Sequence, residues 1–132
     1  MTEFGAWIGR SDERGEVIAA TPVRLLAATL DLPPMDPVAG DPIPPMWHWL
    51  YFLPDAPRSN LGPDGHPRRG DFYPNVPLRR RMFGEASATL HRPLRVGERA
   101  TRRREVISID EKKGLSGPLV LVRVRHQIEG ED

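Results

Sequence analysis

In the stretch LVLVRVRHQI, residues 119–128, the side chains alternate between two faces from Val120 onward, with a period of two. Successive side chains of an extended strand point to opposite faces, so this alternation predicts a β-strand with one apolar face. The apolar face consists of Val120, Val122, Val124 and Ile128. The opposite face consists of Arg123, Arg125 and Gln127. The segment therefore predicts a sheet that is buried on one side.

Two further segments extend this sheet toward the N-terminus. ATRRREVISIDE, residues 100–111, is typical of a second strand, and the glycines and proline of KKGLSGP, residues 112–118, supply the turn of a hairpin. ASATLHRPL, residues 86–94, offers a third strand. We expect an antiparallel sheet across residues 78–132.

The first third of the chain supplies a helix that can cover this sheet. In TPVRLLAATLDL, residues 21–32, Thr21 suits the N-cap position and Pro22 the first turn. Helical i, i+3, i+4, i+7 spacing is followed by Val23, Leu26, Ala27 and Leu30. The pattern predicts a helix over residues 21–31 and an α+β fold in which an antiparallel sheet wraps around that helix.

Length and composition favour one domain over residues 1–132 with a single modest core. The chain has no cysteine and no apolar run near the ~20 residues that span a bilayer, and its N-terminus lacks the pattern of a secretory signal. We therefore expect a cytoplasmic protein with no membrane partner.

Charge is distributed unevenly, although the formal net charge is only +1. Residues 1–66 carry 4 basic and 9 acidic groups, a net charge of −5, whereas residues 67–132 carry 15 and 9, a net charge of +6. This asymmetry indicates an anionic partner for the basic half. The triplet at 102–104 falls in a strand, where we expect solvent-exposed side chains. The triplet Arg79, Arg80 and Arg81 precedes a strand and is the better candidate for a phosphate contact.

Residues 33–77 hold 12 of the 15 prolines and form a long excursion in which regular structure is sparse. An ordered excursion of this length in a compact domain is usually functional. Its centre is PIPPMWHWLYFLP, residues 42–54. If residues 47–52 form a strand, Trp47, Trp49 and Tyr51 share one face and His48 lies on the other. The aromatic side chains then line a binding site or pack an interface, and both interpretations stay open.

Candidate catalytic groups are few. The chain has no P-loop, no Gly-rich dinucleotide fingerprint and no nucleophile elbow, and its histidines lack metal-ligand spacing, so we predict no metal site. His48 is the most suggestive histidine, because burial among aromatic rings would set its pKa. His126 falls on the apolar face of the last strand, while His66 and His91 flank turns. These positions favour structural or exposed roles.

Five segments carry a resemblance to a known family: FGAWIGRSDE, PPMWHWLYFLP, GPDGHPRRGDFYPNVPLRRRMFG, HRPLRVGERATRR and EKKGLSGPLVLVRVRHQI. Together they resemble the N-terminal part of the MaoC-like hydratase/dehydratases. The nearest branch is the type 2 hydroxyacyl-thioester dehydratases, which include mesaconyl-CoA and itaconyl-CoA hydratases. The likeness covers nearly the whole chain and implies a hot-dog fold.

The resemblance also implies a reaction. The family adds water to, or removes it from, the α,β double bond of an acyl thioester, so coenzyme A or an acyl carrier is part of the substrate and no separate cofactor is expected. The reaction needs a base, an acid and donors to the thioester oxygen. In catalytic MaoC-like halves an Asp ends a helix and a His follows five residues later. Here Asp31 ends the predicted helix but position 36 is Asp, so the pair is incomplete and Asp31 and His48 are weak catalytic candidates.

Family members of this kind commonly carry a second hot-dog half with the catalytic pair. We therefore expect residues 1–132 to be the N-terminal, non-catalytic half of a double hot dog, or a subunit that associates with a catalytic one in a homo- or hetero-oligomer. By the resemblance, Trp47, Trp49 and Tyr51 line the acyl group. Likewise, Arg79, Arg80 and Arg81 approach a substrate carboxylate or the coenzyme A phosphates. Alone, the chain should show little or no hydratase activity.

Three other functions compete with this interpretation. A structural or regulatory hot-dog module would bind a partner chain but no thioester. A nucleic-acid binder would use the basic half, but it is disfavoured because the aromatic residues are not interleaved with the Arg triplets. A self-sufficient hydratase would use Asp31 together with His48 or His66.

Overall fold

The computed structural model describes residues 3–131. Its main elements are strand β1 (Ser11–Val17), helix α1 (Thr21–Thr29), strand β2 (Arg99–Gly114) and strand β3 (Gly117–Glu129). Short 3-10 helices occur at Gly5–Trp7, Trp47–Leu50 and Arg58–Asn60. The α+β prediction is confirmed. Within residues 3–131, none of the helices is long and apolar enough to cross a membrane.

The three strands form one antiparallel sheet in the order β1-β2-β3. The amide of Val106 donates to the carbonyl of Arg10, and the amide of Ile18 donates to the carbonyl of Glu98. Residue numbers therefore rise along β1 as they fall along β2. β2 and β3 form the predicted hairpin, with the turn at residues 115–116 and Gly117, the first residue of β3, at φ +119°. This backbone conformation is open to glycine at no steric cost.

The prediction of a third strand at residues 86–94 is wrong. These residues have no regular structure, and the strand that pairs with β2 is β1. The segment offers small alanines and a Leu90 that is 54% exposed, so it buries too little apolar surface to hold a place in the sheet. The sequence SDERGEV of β1 does not resemble a typical strand, because the side chains that alternate between half-buried and exposed positions are mostly charged.

Helix α1 forms where it is predicted but ends at Thr29. Its N-cap is Ala20 rather than Thr21, and no side chain caps it. The C-terminal end is a Schellman motif: the amide of Asp31 donates to Ala28 O at 3.1 Å, and the amide of Leu32 donates to Ala27 O at 2.9 Å. Asp31 therefore occupies the left-handed position that stops the helix, with φ +56°.

The described chain forms two compact units. The first contains the residues up to Glu13, Pro54–Gly84 and Arg103–Gln127. The second contains Arg14–Leu53, Glu85–Arg102 and the residues from Ile128 onward. β1, β2 and β3 each contribute residues to both units.

Each unit has its own hydrophobic core. The first core consists of Phe4, Phe72, Val106 and Ile109, with the half-buried Val120, Val122 and Val124 of the predicted apolar face packed against it. The second core consists of Ile18, Val23, Ile43, Tyr51, Phe52, Val96 and Ala100. Helix α1 contributes Val23 to the second core alone. In the first unit, Phe4 and Phe72 pack against the sheet residues Val106 and Ile109.

The expectation of solvent-exposed side chains at 102–104 holds only for Arg103. Arg104 pairs with Asp12 through two hydrogen bonds of 2.8 Å, and its guanidinium lies 3.8 Å from the ring centre of Phe72. Burial alone would lower the pKa of Arg104, but the bonds to Asp12 outweigh it and the net shift is upward. The charge of the half-buried Arg104 is therefore compensated by the two bonds to Asp12 and by the contact with the Phe72 ring.

Candidate functional site

The aromatic segment Trp47–Phe52 lies in the second unit and is bounded by two residues in left-handed backbone conformations. Met46 has φ +70° and Phe52 has φ +57°. Between them Trp47–Leu50 forms a 3-10 helix, and the amide of Tyr51 donates to His48 O at 3.0 Å. A left-handed conformation costs a bulky residue about 1–2 kcal/mol, so Phe52 must be held by its surroundings.

The strand interpretation of residues 47–52 is therefore wrong, and so is the face alternation drawn from it. Trp47 is half-buried against the second core, Trp49 is 59% exposed, and Tyr51 is 4% exposed within that core. A 3-10 helix has about three residues per turn, so positions two apart do not share a face. The three aromatic residues do not form one wall.

Tyr51 is fixed by its hydroxyl group. The hydroxyl donates to Ala19 O at 2.5 Å, and the ring is part of the second core. Burial raises the pKa of Tyr51, and the negative charge of Glu16 raises it further. The phenol is therefore a neutral hydrogen-bond donor that ties the aromatic segment to the chain just after β1.

His48 is half-buried beside Trp49. The ring centres are 6.1 Å apart with an interplanar angle of 72°, an edge-to-face arrangement. Burial lowers the pKa of His48 below its ordinary value of 6.5. The imidazole is therefore neutral near pH 7, where it can accept or donate a hydrogen bond.

Three charged residues of β1 and β2 contact the end of the aromatic segment, and sequence reasoning missed them. Arg14 donates to Leu53 O at 3.1 Å, Glu16 accepts from the amide of Phe52 at 3.2 Å, and Arg102 donates to Phe52 O at 3.1 Å. We call Arg14, Glu16 and Arg102 the anchor residues. The sequence signal for Arg14 and Glu16 is the alternation of Asp12, Arg14 and Glu16 along β1, which resembles an exposed strand face. Arg102 belongs to the triplet at 102–104, where we expected solvent-exposed side chains.

Asp31 and Asp36 occupy the two positions at which the resemblance predicts an acid–base pair. Asp31 is exposed in the left-handed position after α1, and Asp36 lies 3.9 Å from the guanidinium of Arg24. The backbone of Asp31 therefore ends the helix, while the carboxylate of Asp36 lies beside a helix arginine. Across residues 3–131, no group of three or more His, Cys, Asp or Glu side chains could hold a metal ion.

The Arg79–Arg81 triplet belongs to the first unit, in a segment without regular structure. Arg79 and Arg80 are exposed, whereas Arg81 forms an ion pair of 3.3 Å with Asp64. The hydrogen bond from the His66 amide lowers the pKa of Asp64, and the charge of Arg81 lowers it further. Arg79 and Arg80 are therefore accessible to a ligand, whereas Arg81 is paired with Asp64.

A recess of about 390 Å³ lies in the first unit and is lined by Asn60, Arg68, Arg69, Gly70 and Asp71. Arg69 donates to the carbonyls of Val76 and Leu78 and so holds the surrounding loop together. Arg68 is exposed. The basic stretch at residues 66–70 is therefore only partly a free surface, because Arg69 has a structural role.

A three-stranded antiparallel sheet with one helix places the chain in the α+β class and agrees with the hot-dog fold. Residues 46–132 match the family described as hydroxyacyl-thioester dehydratase type 2. Over 126 residues the chain is 48% identical to the mesaconyl-C(4)-CoA hydratase of Chloroflexus aurantiacus, a match that covers 96% of this chain and 45% of that protein. The chain belongs to the type 2 hydroxyacyl-thioester dehydratase family.

The predicted family resemblance is thereby confirmed. The chain spans less than half the length of the Chloroflexus hydratase. The catalytic candidates Asp31 and His48 and the substrate-contact candidates stay predictions.

Proposed function

We propose that this chain is the N-terminal, non-catalytic half of an acyl-thioester hydratase/dehydratase. In this role it shapes the acyl site and associates with a second hot-dog domain or subunit that carries the acid–base pair. One observation carries the proposal: 48% identity to a hydratase extends over 96% of the chain, yet the residue five positions after Asp31 is Asp36. The imidazole that the resemblance expects five positions after the aspartate is therefore missing from this chain.

The surroundings of Asp31 and Asp36 support the assignment of the acid–base pair to the second hot dog. Asp31 serves as the left-handed stop of α1, and Asp36 lies beside Arg24. General acid–base catalysis needs both an acid and a base within reach of the substrate. Because position 36 holds Asp where the resemblance expects His, the reaction is assigned to the second hot dog.

In this half, substrate binding requires side chains that are exposed to solvent and attached to a fixed backbone. Trp49 is 59% exposed on a segment whose C-terminal end is held by the anchor residues, and the neutral His48 lies beside it. Tyr51 supports them from the core through Ala19. We assign Trp49 to contact with the acyl group and Tyr51 to its support.

For the carrier end of the substrate, the exposed Arg79 and Arg80 are the candidates. Guanidinium groups bind phosphate with two parallel hydrogen bonds, so a coenzyme A thioester suits them. Arg81 is occupied by Asp64 and takes a smaller part.

Two proteins test the proposal: the isolated chain, and a chimera in which the chain replaces the matching segment of the Chloroflexus hydratase. Hydration of mesaconyl-CoA is followed by the loss of absorbance of the conjugated double bond. We expect no rate above background from the isolated chain and a rate within about tenfold of the parent enzyme from the chimera.

Two outcomes would contradict the proposal. Hydration by the isolated chain that is lost in Asp31→Asn would establish a self-sufficient hydratase. An inactive chimera that folds and assembles like the parent enzyme would favour a structural module that binds no thioester.

A further inference from the structure

The turn at Tyr51–Leu53 is held by side chains rather than by a strand partner. Both backbone groups of Phe52 are satisfied in this way: its amide donates to Glu16 Oε2 at 3.2 Å, and its carbonyl accepts from Arg102 at 3.1 Å. Arg14 adds a bond of 3.1 Å to Leu53 O. Each of these bonds has one ionised member, and such bonds are stronger than those between neutral groups.

The register of the sheet explains why these three side chains meet the same turn. With Ile18 bonded to Glu98 and Arg10 bonded to Val106, Arg14 lies opposite Arg102 in the antiparallel pair. Glu16 follows two positions along the same face of β1. Opposed arginines repel, so their retention on a half-buried face needs a compensating set of acceptors. The carbonyls of Phe52 and Leu53 supply those acceptors, and Glu16 adds a negative charge two positions further along β1.

Phe52 needs this support because of its own conformation. Its φ of +57° is unfavourable for a bulky side chain, while its ring is 4% exposed in the second core. The guanidinium of Arg102 also lies 5.5 Å from the centre of that ring. Side chain, amide and carbonyl of Phe52 are thus fixed together, which sets where the Trp47–Leu50 helix ends.

We infer that Arg14, Glu16 and Arg102 are positioning residues of the acyl site, which act through the Phe52 turn to fix the orientation of His48 and Trp49. This inference rests on the proposed function, because it is the acyl group that Trp49 is assigned to contact. The anchor residues themselves touch backbone, so their effect on substrate is indirect. Loss of an anchor is therefore expected to weaken binding more than turnover.

The first test observes Trp49 without any catalysis. The isolated chain is labelled with 5-fluorotryptophan, and its three ¹⁹F resonances are assigned by Trp→Phe variants at 7, 47 and 49. In Arg102→Met we expect the Trp49 resonance to move by more than its own linewidth, whereas Trp7, in the other unit, stays in place. Arg103→Met is the matched control, because Arg103 is an exposed residue next to Arg102 on the opposite face of the strand.

The second test measures the chimera. Arg102→Met and Glu16→Ala should raise KM for mesaconyl-CoA about tenfold and change kcat less than about twofold, since they remove binding common to substrate and transition state. Glu16→Gln keeps an acceptor oxygen for the Phe52 amide and should restore most of the affinity. A merely structural role would lower the melting temperature in all three variants and leave KM unchanged.

The outcomes separate this inference from the proposed function. A Trp49 resonance that does not move in Arg102→Met overturns the positioning role, whatever the chimera does. A resonance that moves while KM stays constant overturns the link to the acyl site. A chimera that is inactive with its natural residues overturns the proposed function itself.

Discussion

Trp47 and Trp49 are two residues apart but differ sharply in their surroundings. Trp47 packs against the second core, while Trp49 keeps 59% of its surface exposed and meets His48 edge-on. Apolar surface that stays exposed gives no folding free energy, but it is available to a ligand. Among the three aromatic residues assigned to the acyl group, Trp49 is thus the one with surface to offer.

This difference predicts opposite effects of two alanine substitutions. Trp49→Ala should change the free energy of unfolding by less than about 0.5 kcal/mol and raise KM of the chimera. Trp47→Ala should lower the free energy of unfolding by about 2 kcal/mol, because it leaves a cavity beside the core. Urea unfolding of the isolated chain measures both. Equal destabilisation by the two substitutions would contradict the assignment.

His48 predicts a pH dependence of stability. Its pKa in the folded chain lies below the ordinary value of 6.5, so near and below that pH the unfolded chain binds a proton that the folded chain resists. Its contribution to stability is therefore complete above pH 6.5 and is lost as the pH falls through the folded pKa. Urea unfolding between about pH 7.5 and 5 should show this loss, and His48→Gln should reduce it. An unchanged pH profile in His48→Gln would count against burial as the cause.

At the scale of elements, the sequence predicted the parts whose pattern follows burial. The hairpin β2-β3 alternates as its valines are buried, and α1 is found within two residues of the predicted end. Of β1, only Glu16 and Val17 were predicted, within the strand-like segment EVIA at residues 16–19. The earlier residues were missed because charges occupy the half-buried face of the strand. The strand interpretation of the aromatic segment was wrong because its alternation in sequence also occurs in a short 3-10 helix. That helix begins after Met46, which has a left-handed backbone conformation.

The carboxylates of Glu98 and Glu131 form hydrogen bonds beside the end of β3, and they predict the effect of a substitution at Gly130. Glu98 accepts from the amides of Arg95 at 2.8 Å and Glu131 at 3.2 Å, and Glu131 accepts from the amide of Arg99 at 3.1 Å. A Cβ at Gly130 would lie 2.5 Å from Glu98 Oε1. Gly130→Ala should therefore displace the carboxylate and cost about 1–2 kcal/mol of unfolding free energy.

The control for this prediction is Gly84→Ala, where a Cβ meets nothing within 4 Å. It should leave the free energy of unfolding within about 0.5 kcal/mol of the natural chain. Thermal unfolding of both variants decides the matter. Equal melting temperatures would show that Glu98 moves aside without losing its bonds.

For the whole molecule, family membership was predictable and the site only in part. Local motifs such as WHWLYFLP carry the resemblance, and identity of 48% over 126 residues confirms it. The anchor residues were not predictable from the sequence. Their role depends on which residues of β1 and β2 lie opposite each other, and on the position of the Tyr51–Leu53 turn that they contact. Long-range contacts such as Arg102 to Phe52, 50 positions apart, leave no local pattern.

The central claim is that this half contributes binding and its partner contributes the reaction. Its most direct test is kcat/KM for mesaconyl-CoA in the chimera carrying Asp31→Asn, since Asn tolerates the left-handed position and preserves the helix end. We predict a value within about twofold of the unsubstituted chimera. A loss of about a hundredfold or more, the typical share of a general acid or base, would contradict the claim and make Asp31 catalytic.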